Sequence, residues 1–480
     1  MNTERYELVI GLEVHCQLKT HTKAFCGCRT TFGDAPNANT CPVCLGLPGA
    51  LPVLNRHAVE LATRTAFALD CTVHATSVFA RKNYFYPDLP KGYQITQFDR
   101  PIATLGVVSI GNARDGSSKD IRITRVHMEE DAGKSVHDRF VGVSAVDLNR
   151  AGTPLVEIVS EPDIRSASEA GAYLRALKQI LEYTEVSDAN MEQGSLRVDV
   201  NISVRRHGST TLGTRTEIKN LNTFSGVERA VEVEFARQCA LVDGGGVVEQ
   251  QTMIWDAVRG EIRPTRSKEA SHDYRYFPEP DLPPLKLDLH WMELQRSALP
   301  ELPSAKRIRF ETVYGLGASE IEQLTAMRDI AQAFELVTVE CGDPKRAANW
   351  VLGPLLAVLN ASRRQVGEYP VSPKRLGALI RLEASGAVSN TAARQLFAML
   401  EAEDTEPAAL AQREGLLKVS DDVALRGWID AVLAAHPAEA ARFASGETKL
   451  QGVLVGFVMK ASKGAADPRR VNQLLAARSG

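Results

Sequence analysis

Between Ser195 and Val204 every second residue is aliphatic: Leu196, Val198, Val200, Ile202 and Val204, with Arg197, Asp199, Asn201 and Ser203 between them. Strict alternation of this kind fits only a strand whose two faces meet different surroundings. One face must be covered by other parts of the chain, and the other stays polar. Leu8 to Gln17 repeats the pattern, with Leu12 and Val14 on one side and Glu13 and His15 on the other. Thr216-Glu217-Ile218-Lys219-Asn220 puts Glu217 and Lys219 together. Gly, Pro and Asn clusters break these short runs, which predicts a largely antiparallel sheet. The texture changes near residue 290, where Ala/Leu-rich stretches of helical period take over. The expected fold is therefore α+β, with a sheet domain over 1–294, an all-α connector over 295–370 and an all-α tail over 371–480. Phe277 to Pro284 is the Pro-rich seam, and Tyr369-Pro370-Val371-Ser372-Pro373 marks the second break.

A length of 480 residues agrees with two or three cores. A hydrophobic share of 44% and a charged share of 24% exclude wholesale disorder. The net charge of −3 means that any nucleic-acid surface must be a local patch. There is no run of 18 apolar residues, so no membrane span is expected. The start, Met1 to Arg5, has neither a signal-peptide nor a transit-peptide pattern, and the cytoplasm is the expected location.

Four of the eight cysteines crowd together as Cys26-x-Cys28 and Cys41-x-x-Cys44. Two thiol pairs at this separation match two knuckles converging on a tetrahedral zinc, and Pro42 and Gly46 suit the tight turn. A redox pair and plain reduced thiols are the alternatives. Cys16, Cys71, Cys239 and Cys341 are isolated and read as small core residues.

The acidic residues on the polar strand faces form a second constellation. Glu157 lies in Leu155-Val156-Glu157-Ile158-Val159, where a lone carboxylate would cost several kcal/mol unless paired or bound to a cation. Glu129-Glu130-Asp131 closes the strand-like run from Ile121. Carboxylates and an imidazole on one sheet face suit divalent cations holding a polyphosphate, with Arg81, Lys82 and Lys91 as phosphate partners. A solvated polar face whose charges merely pair is the competing reading. No G-x-x-x-x-G-K-[ST] loop occurs, and Gly116-Ser117-Ser118-Lys119 reads as a polar loop.

Several long segments resemble the B subunit of glutamine-dependent aminoacyl-tRNA amidotransferases. They are Gly11-Leu12-Glu13-Val14-His15, the block from Cys26 through Pro52, Arg81 to Gln94, His127 to Lys134, Asp147 to Pro162, Glu217 to Asn222, His272 to Pro280 and Val458 to Gly464. The resemblance covers essentially the whole chain. It implies a sheet domain like the catalytic fold of glutamine synthetase. It also implies a carbon–nitrogen ligase that uses ATP and magnesium to phosphorylate the side-chain carboxylate of a misacylated tRNA. Ammonia from a glutaminase A subunit, clamped by a small C subunit, then gives Gln-tRNA or Asn-tRNA. On the family's pattern His15, Glu130 and Glu157 would hold magnesium, and Glu13, Asp199 and Glu217 a second metal with ATP; the resemblance alone favours Glu130 over Glu129, because the alternation slips between Ile123 and Val126 and pattern leaves the choice open. Lys82 and Lys91 would meet phosphate, and Tyr84, Phe85 and Tyr86 could stack on the tRNA acceptor end. The tail, with Lys460, Lys463, Arg469 and Arg470, would grip tRNA. A non-catalytic zinc-containing tRNA-binding scaffold and a free-standing glutamine synthetase-like ligase are the alternatives.

Overall fold

The structure is a computed structural model that describes residues 5–111, 118–137, 142–265, 274–419, 421–462 and 464–478. The chain forms two units, one up to Ala305 and one from Lys306.

The first unit is built on a nine-stranded sheet. From edge to edge its strands are Glu261–Pro264, Thr252–Asp256, Thr216–Leu221, Leu196–Arg206, Tyr6–Gln17, Pro154–Ser160, Ser118–Glu130, Ala103–Gly111 and Thr72–Val73. All neighbours are antiparallel except Thr216–Leu221 with Thr252–Asp256. The central strand Tyr6–Gln17 pairs with Leu196–Arg206 along its length, Glu13 opposite Asp199 and Val14 opposite Val198. Register is fixed by burial, because a one-residue slip would carry Leu8, Ile10, Leu12, Val14 and Cys16 to the polar face. Each such side chain is worth about 1.5–3 kcal/mol when buried, so no slipped pairing competes.

Helices cover the apolar face. Ala167–Tyr183 buries Tyr173, Leu174, Leu177 and Leu181, a three-and-four spacing that makes one stripe, and its N-cap Ser166 accepts from the Glu169 amide. Phe224–Asp243 adds Val227, Ala230 and Val231 and is capped by Thr223. Arg56–Ala68 is capped by Asn55, whose side chain accepts from the His57 and Ala58 amides. The opposite face of the sheet keeps its charged side chains. A separate three-stranded sheet, Ala80–Asn83, Tyr93–Thr96 and Phe277–Pro278, carries Lys82. Ser118 and Lys119, expected in a loop, begin the Ser118–Glu130 strand, while Gly116 and Ser117 lie outside the described residues.

Both expected domain breaks move. The helix Leu289–Ser297 still packs Trp291 and Met292 on the first core, so that unit runs past 294. In the second unit one core runs from Phe310 through Phe334, Trp350, Leu376 and Leu396 to Ala411, straight across 370/371. Tyr369 and Val371 are buried in it. The Pro-Val-Ser-Pro signal is a helix start: Ser372 accepts from the Arg375 amide and Pro373 opens the helix Pro373–Ala384. A separate cluster of Leu425, Ile429, Val432, Leu454, Val458, Val471 and Leu475 begins only beyond residue 420. Among the described residues no helix is long and apolar enough to cross a membrane.

Candidate active site and thiol centre

The polar face of the sheet is a lattice of charged residues set by strand register. Arg197, His15, Glu157 and His127 form one row across four strands, and Asp199, Glu13, Val159 and Arg125 the next. Two ligand triads result, each offering donor atoms within 4.8 Å of one another: His15 with Glu129 and Glu157, and Glu13 with Asp199 and Glu217.

In the first triad His15 Nε2 lies 3.3 Å from Glu157 Oε2 and 3.6 Å from Glu129 Oε1. His127 Nε2 lies 3.2 Å from the same Glu157 oxygen, and Arg125 reaches its other oxygen at 3.7 Å. Burial works against the Glu157 charge, but His127 and His15 outweigh it and hold the carboxyl well below its ordinary range. Burial also opposes charge on His15. The Glu157 hydrogen bond and the Glu129 charge nevertheless carry its pKa up to about 9.

In the second triad Lys219 Nζ bridges Asp199 at 2.7 Å and Glu217 at 2.9 Å. Thr252 donates to Glu217 at 2.9 Å and Asn201 to Glu13 at 3.2 Å. Burial, with Glu157 and Glu217 nearby, raises the Glu13 pKa. Lys82 adds a cation at the rim, 4.8 Å from the Tyr274 ring centre. Its burial disfavours charge, yet Glu129 and other anionic neighbours raise its pKa. Tyr274 packs edge-on against Tyr84 and Tyr276, and Tyr276 stacks on Phe98 at 4.0 Å. Within the expected stacking run, Tyr84 belongs to this wall, whereas Phe85 and Tyr86 are exposed.

Three expectations are corrected by geometry. Glu130 is not in the first triad; Glu129 is. The Ser118–Glu130 strand carries an irregularity, with Val159 opposite Arg125 but Ser160 opposite Ile123. This bulge at Thr124 reverses the alternation. Ile121 and Ile123 face the core, and so do Val126 and Met128, leaving Arg125, His127 and Glu129 on the acidic face. Glu130 points the other way, where it pairs with Lys91 and accepts from the Ile95 amide at 2.9 Å. Lys91 is therefore taken up by Glu130 and does not stand beside the triads. Arg81 is likewise occupied, making two 2.8 Å bonds to Glu279. From sequence, His127 has no assigned role, Lys219 stands beside Glu217 without one, and Glu129 is weighed against Glu130; alternation counted from the bulge places His127 and Glu129 on the acidic face.

The four thiols converge. Cys26 Sγ lies 3.5 Å and Cys41 Sγ 3.7 Å from Cys44 Sγ, and all four sulfurs fall within 4.8 Å of one another. Gly46, at φ 63°, closes the second knuckle by donating to the Pro42 and Val43 carbonyls. A hydrogen bond from Cys26, with Lys23 nearby, draws the Cys44 pKa down to about 4. Four sulfurs gathered this closely are a candidate metal centre.

In the tail Lys460 and Arg469 are exposed, Arg470 is paired with Asp422 at 2.7 Å, and Lys463 lies outside the described residues. His272 and Asp273 also lie outside them.

Residues 8–293 match the family model described as the GatB/GatE catalytic domain, and residues 332–478 match the GatB domain. Proteins named as the B subunit of an aspartyl/glutamyl-tRNA(Asn/Gln) amidotransferase are similar over nearly the full length. The one from Geobacter sulfurreducens is 52% identical over 473 residues, covering 98% of both chains. That from Chlorobium limicola is 50% identical over 475 residues, covering 99% of both. That from Moorella thermoacetica is 51% identical over 472 residues, covering 98% of this chain and 99% of the other.

Proposed function

The chain belongs to the GatB family, the B subunits of tRNA-dependent amidotransferases, and from that premise we propose that its sheet domain activates a side-chain carboxylate with ATP. The substrates of the proposal are Glu-tRNA(Gln), Asp-tRNA(Asn) or both, and the partners are a glutaminase A subunit and a small C subunit. In the first step a carboxylate oxygen of the aminoacyl group attacks the γ-phosphorus of ATP, the bond to the β,γ-bridging oxygen breaks, and ADP leaves. The nitrogen of ammonia then attacks the carbonyl carbon. The carbon–oxygen bond to phosphate breaks, phosphate departs, and the nitrogen sheds a proton to give the amide. Phosphorylation is needed because oxide is a poor leaving group.

The observation that carries this reading is the pair of triads on one sheet face. Five carboxylates gathered there would repel a triphosphate, so the surface makes sense for ATP only with cations between them. His15, Glu129 and Glu157 would hold one magnesium ion, and Glu13, Asp199 and Glu217 another. Bound magnesium would neutralise phosphate oxygens as charge shifts to the leaving group. His127 and Arg125 orient Glu157, Lys219 keeps Asp199 and Glu217 together, and Lys82, which has no ion pair among the described residues, would meet a phosphate oxygen from the rim. The tyrosine wall of Tyr84, Tyr274 and Tyr276 would keep water from the activated carbonyl and offer ring faces to the acceptor end. The thiol centre would hold a structural zinc, since four sulfurs within 4.8 Å of one another match its preferred ligand set.

Hydroxylamine tests the proposal directly. With charged tRNA, ATP and magnesium, the complex should form the side-chain hydroxamate of the aminoacyl residue without glutamine, in an ATP-dependent step that expels phosphate. Glu157→Gln and Asp199→Asn should lose that product and keep tRNA affinity. Amidation without ATP cleavage, or full hydroxamate formation by either variant, would overturn the assignment.

A further inference from the structure

Lys23 is a lysine with no access to solvent, and nothing in the proposed chemistry uses it. Burying an ammonium costs several kcal/mol unless an anion answers it. Lys23 Nζ donates to the Asn39 carbonyl at 2.6 Å and the Leu148 carbonyl at 3.3 Å, and it lies 3.4 Å from Cys44 Sγ. Among the described residues no carboxylate forms an ion pair with it. Two carbonyls are neutral, so the sulfur cluster is the only anionic partner that the described residues offer it.

Its place in the fold makes that partnership specific. Lys23 stands at the base of the first knuckle, where its amide donates to the Cys28 carbonyl and Thr22 bridges Arg29. Its side chain crosses to Cys44 of the second knuckle and to Asn39 just before that knuckle. The third bond, to Leu148, reaches outside the thiol block into the segment that leads to the Glu157 strand. One ammonium therefore ties together both halves of the centre and the loop behind it.

We infer that Lys23 is the charge partner of the metal–thiolate centre, its N–H group donating to Cys44 sulfur and offsetting part of the negative charge of four thiolates around a divalent ion. This rests on the proposal that the thiols hold zinc. Four thiolates and one divalent cation leave a net charge of −2, which a buried site cannot carry cheaply. Lys23 halves it. Lys23 is a positioning residue: it ligates no metal and touches no substrate.

The test uses the full-length chain, with zinc content measured first by elemental analysis. Lys23→Met keeps the length and removes the charge, and should release zinc to a chromogenic chelator about 10–100-fold faster than the unaltered chain. Lys23→Arg should restore most of the slow release. With Co2+ in place of zinc, the thiolate-to-metal charge-transfer band of Lys23→Met should move to lower energy, because the sulfur loses a hydrogen bond that stabilised its lone pairs. A packing role alone would alter release without moving the band. Lys23→Gln, which keeps an N–H donor without charge, is the second variant should Lys23→Met fail to fold, and should fall between the two. A chain that binds no zinc overturns both the zinc proposal and this inference. A chain that binds zinc but shows unchanged release and an unmoved band in the neutral variants overturns this inference alone.

Discussion

Glu129 and Glu130 are adjacent in sequence and equally buried, yet they should respond to the same substitution in opposite ways. In Glu130→Gln the buried Lys91 ammonium loses its carboxylate. The Lys91 side chain is 8% exposed and that of Glu130 4%, so water cannot take the place of the lost charge. Breaking a buried pair from one side costs about 3–5 kcal/mol. The unfolding entropy of ~2.1 cal/mol/K per residue, taken over the unit that ends at Ala305, is roughly 0.6 kcal/mol/K. The melting temperature should therefore fall by about 5–8 °C. Activity per folded molecule should survive, because Glu130 faces away from the triads. Glu129→Gln thins a crowd of like charges and should leave the melt nearly unchanged, but it removes a cation ligand and should cut amidation at least ~100-fold. Thermal melts of the isolated chain, followed by amidation with partner subunits well below both transitions, separate the two effects. The reasoning fails if Glu130→Gln melts normally and is inactive, or if Glu129→Gln amidates at close to the normal rate.

Three other outcomes are expected. The His15 pKa stands above its unfolded value of about 6.5, so in the metal-free chain its charge contributes stability that is complete below that pH and is lost as pH rises through about 9. Because an imidazole must lose its proton to ligate magnesium, cation affinity should climb over the same window with release of a proton, and calorimetry showing pH-independent affinity would refute this. Purified protein should carry about one zinc, with Cys41→Ser lowering metal content and melting temperature before it alters the chemistry; equal metal content in both proteins would count against the centre. Removing residues 420–480, which spares the Phe310–Ala411 core, should raise KM for charged tRNA and flatten its salt dependence, and identical salt slopes would show that the tail does not grip RNA.

What was legible in the sequence is what strand periodicity alone determines. Glu13, His15, Asp199 and Glu217 fall on one face by counting in twos, and their assembly follows once the strands are neighbours. Glu157 was legible from the discomfort of a carboxylate among aliphatics. What failed had a different origin in each case. The choice between Glu129 and Glu130 depends on one extra residue at Thr124, which shifts the phase of the strand; the slip between Ile123 and Val126 shows in the sequence, but the resemblance favours Glu130 over the face that the slip implies. Lys91 and Arg81 were assigned to phosphate because a local reading sees cations but not the distant carboxylates, Glu130 and Glu279, that occupy them. The break at 370 failed because Pro-x-Ser-Pro opens a helix equally well inside a core and between two.

The same asymmetry explains why the acidic face can exist at all. Leu8, Ile10, Leu12, Val14 and Cys16 supply the burial that fixes the central strand, so its other face is released from any duty in folding. That face holds five triad carboxylates together against their repulsion by distributing cations and hydrogen-bond donors among them. Lys219 lies between Asp199 and Glu217, His15 and His127 flank Glu157, and Arg125 stands behind it. Glu13 has the least help, an amide from Asn201 and no ion pair of its own among the described residues, and burial beside Glu157 and Glu217 raises its proton affinity. A cation entering between Glu13, Asp199 and Glu217 would therefore answer a charge that no ion pair among the described residues meets. Of the two triads, this one should gain most from metal, and Glu13→Gln should weaken its cation binding while leaving the fold intact.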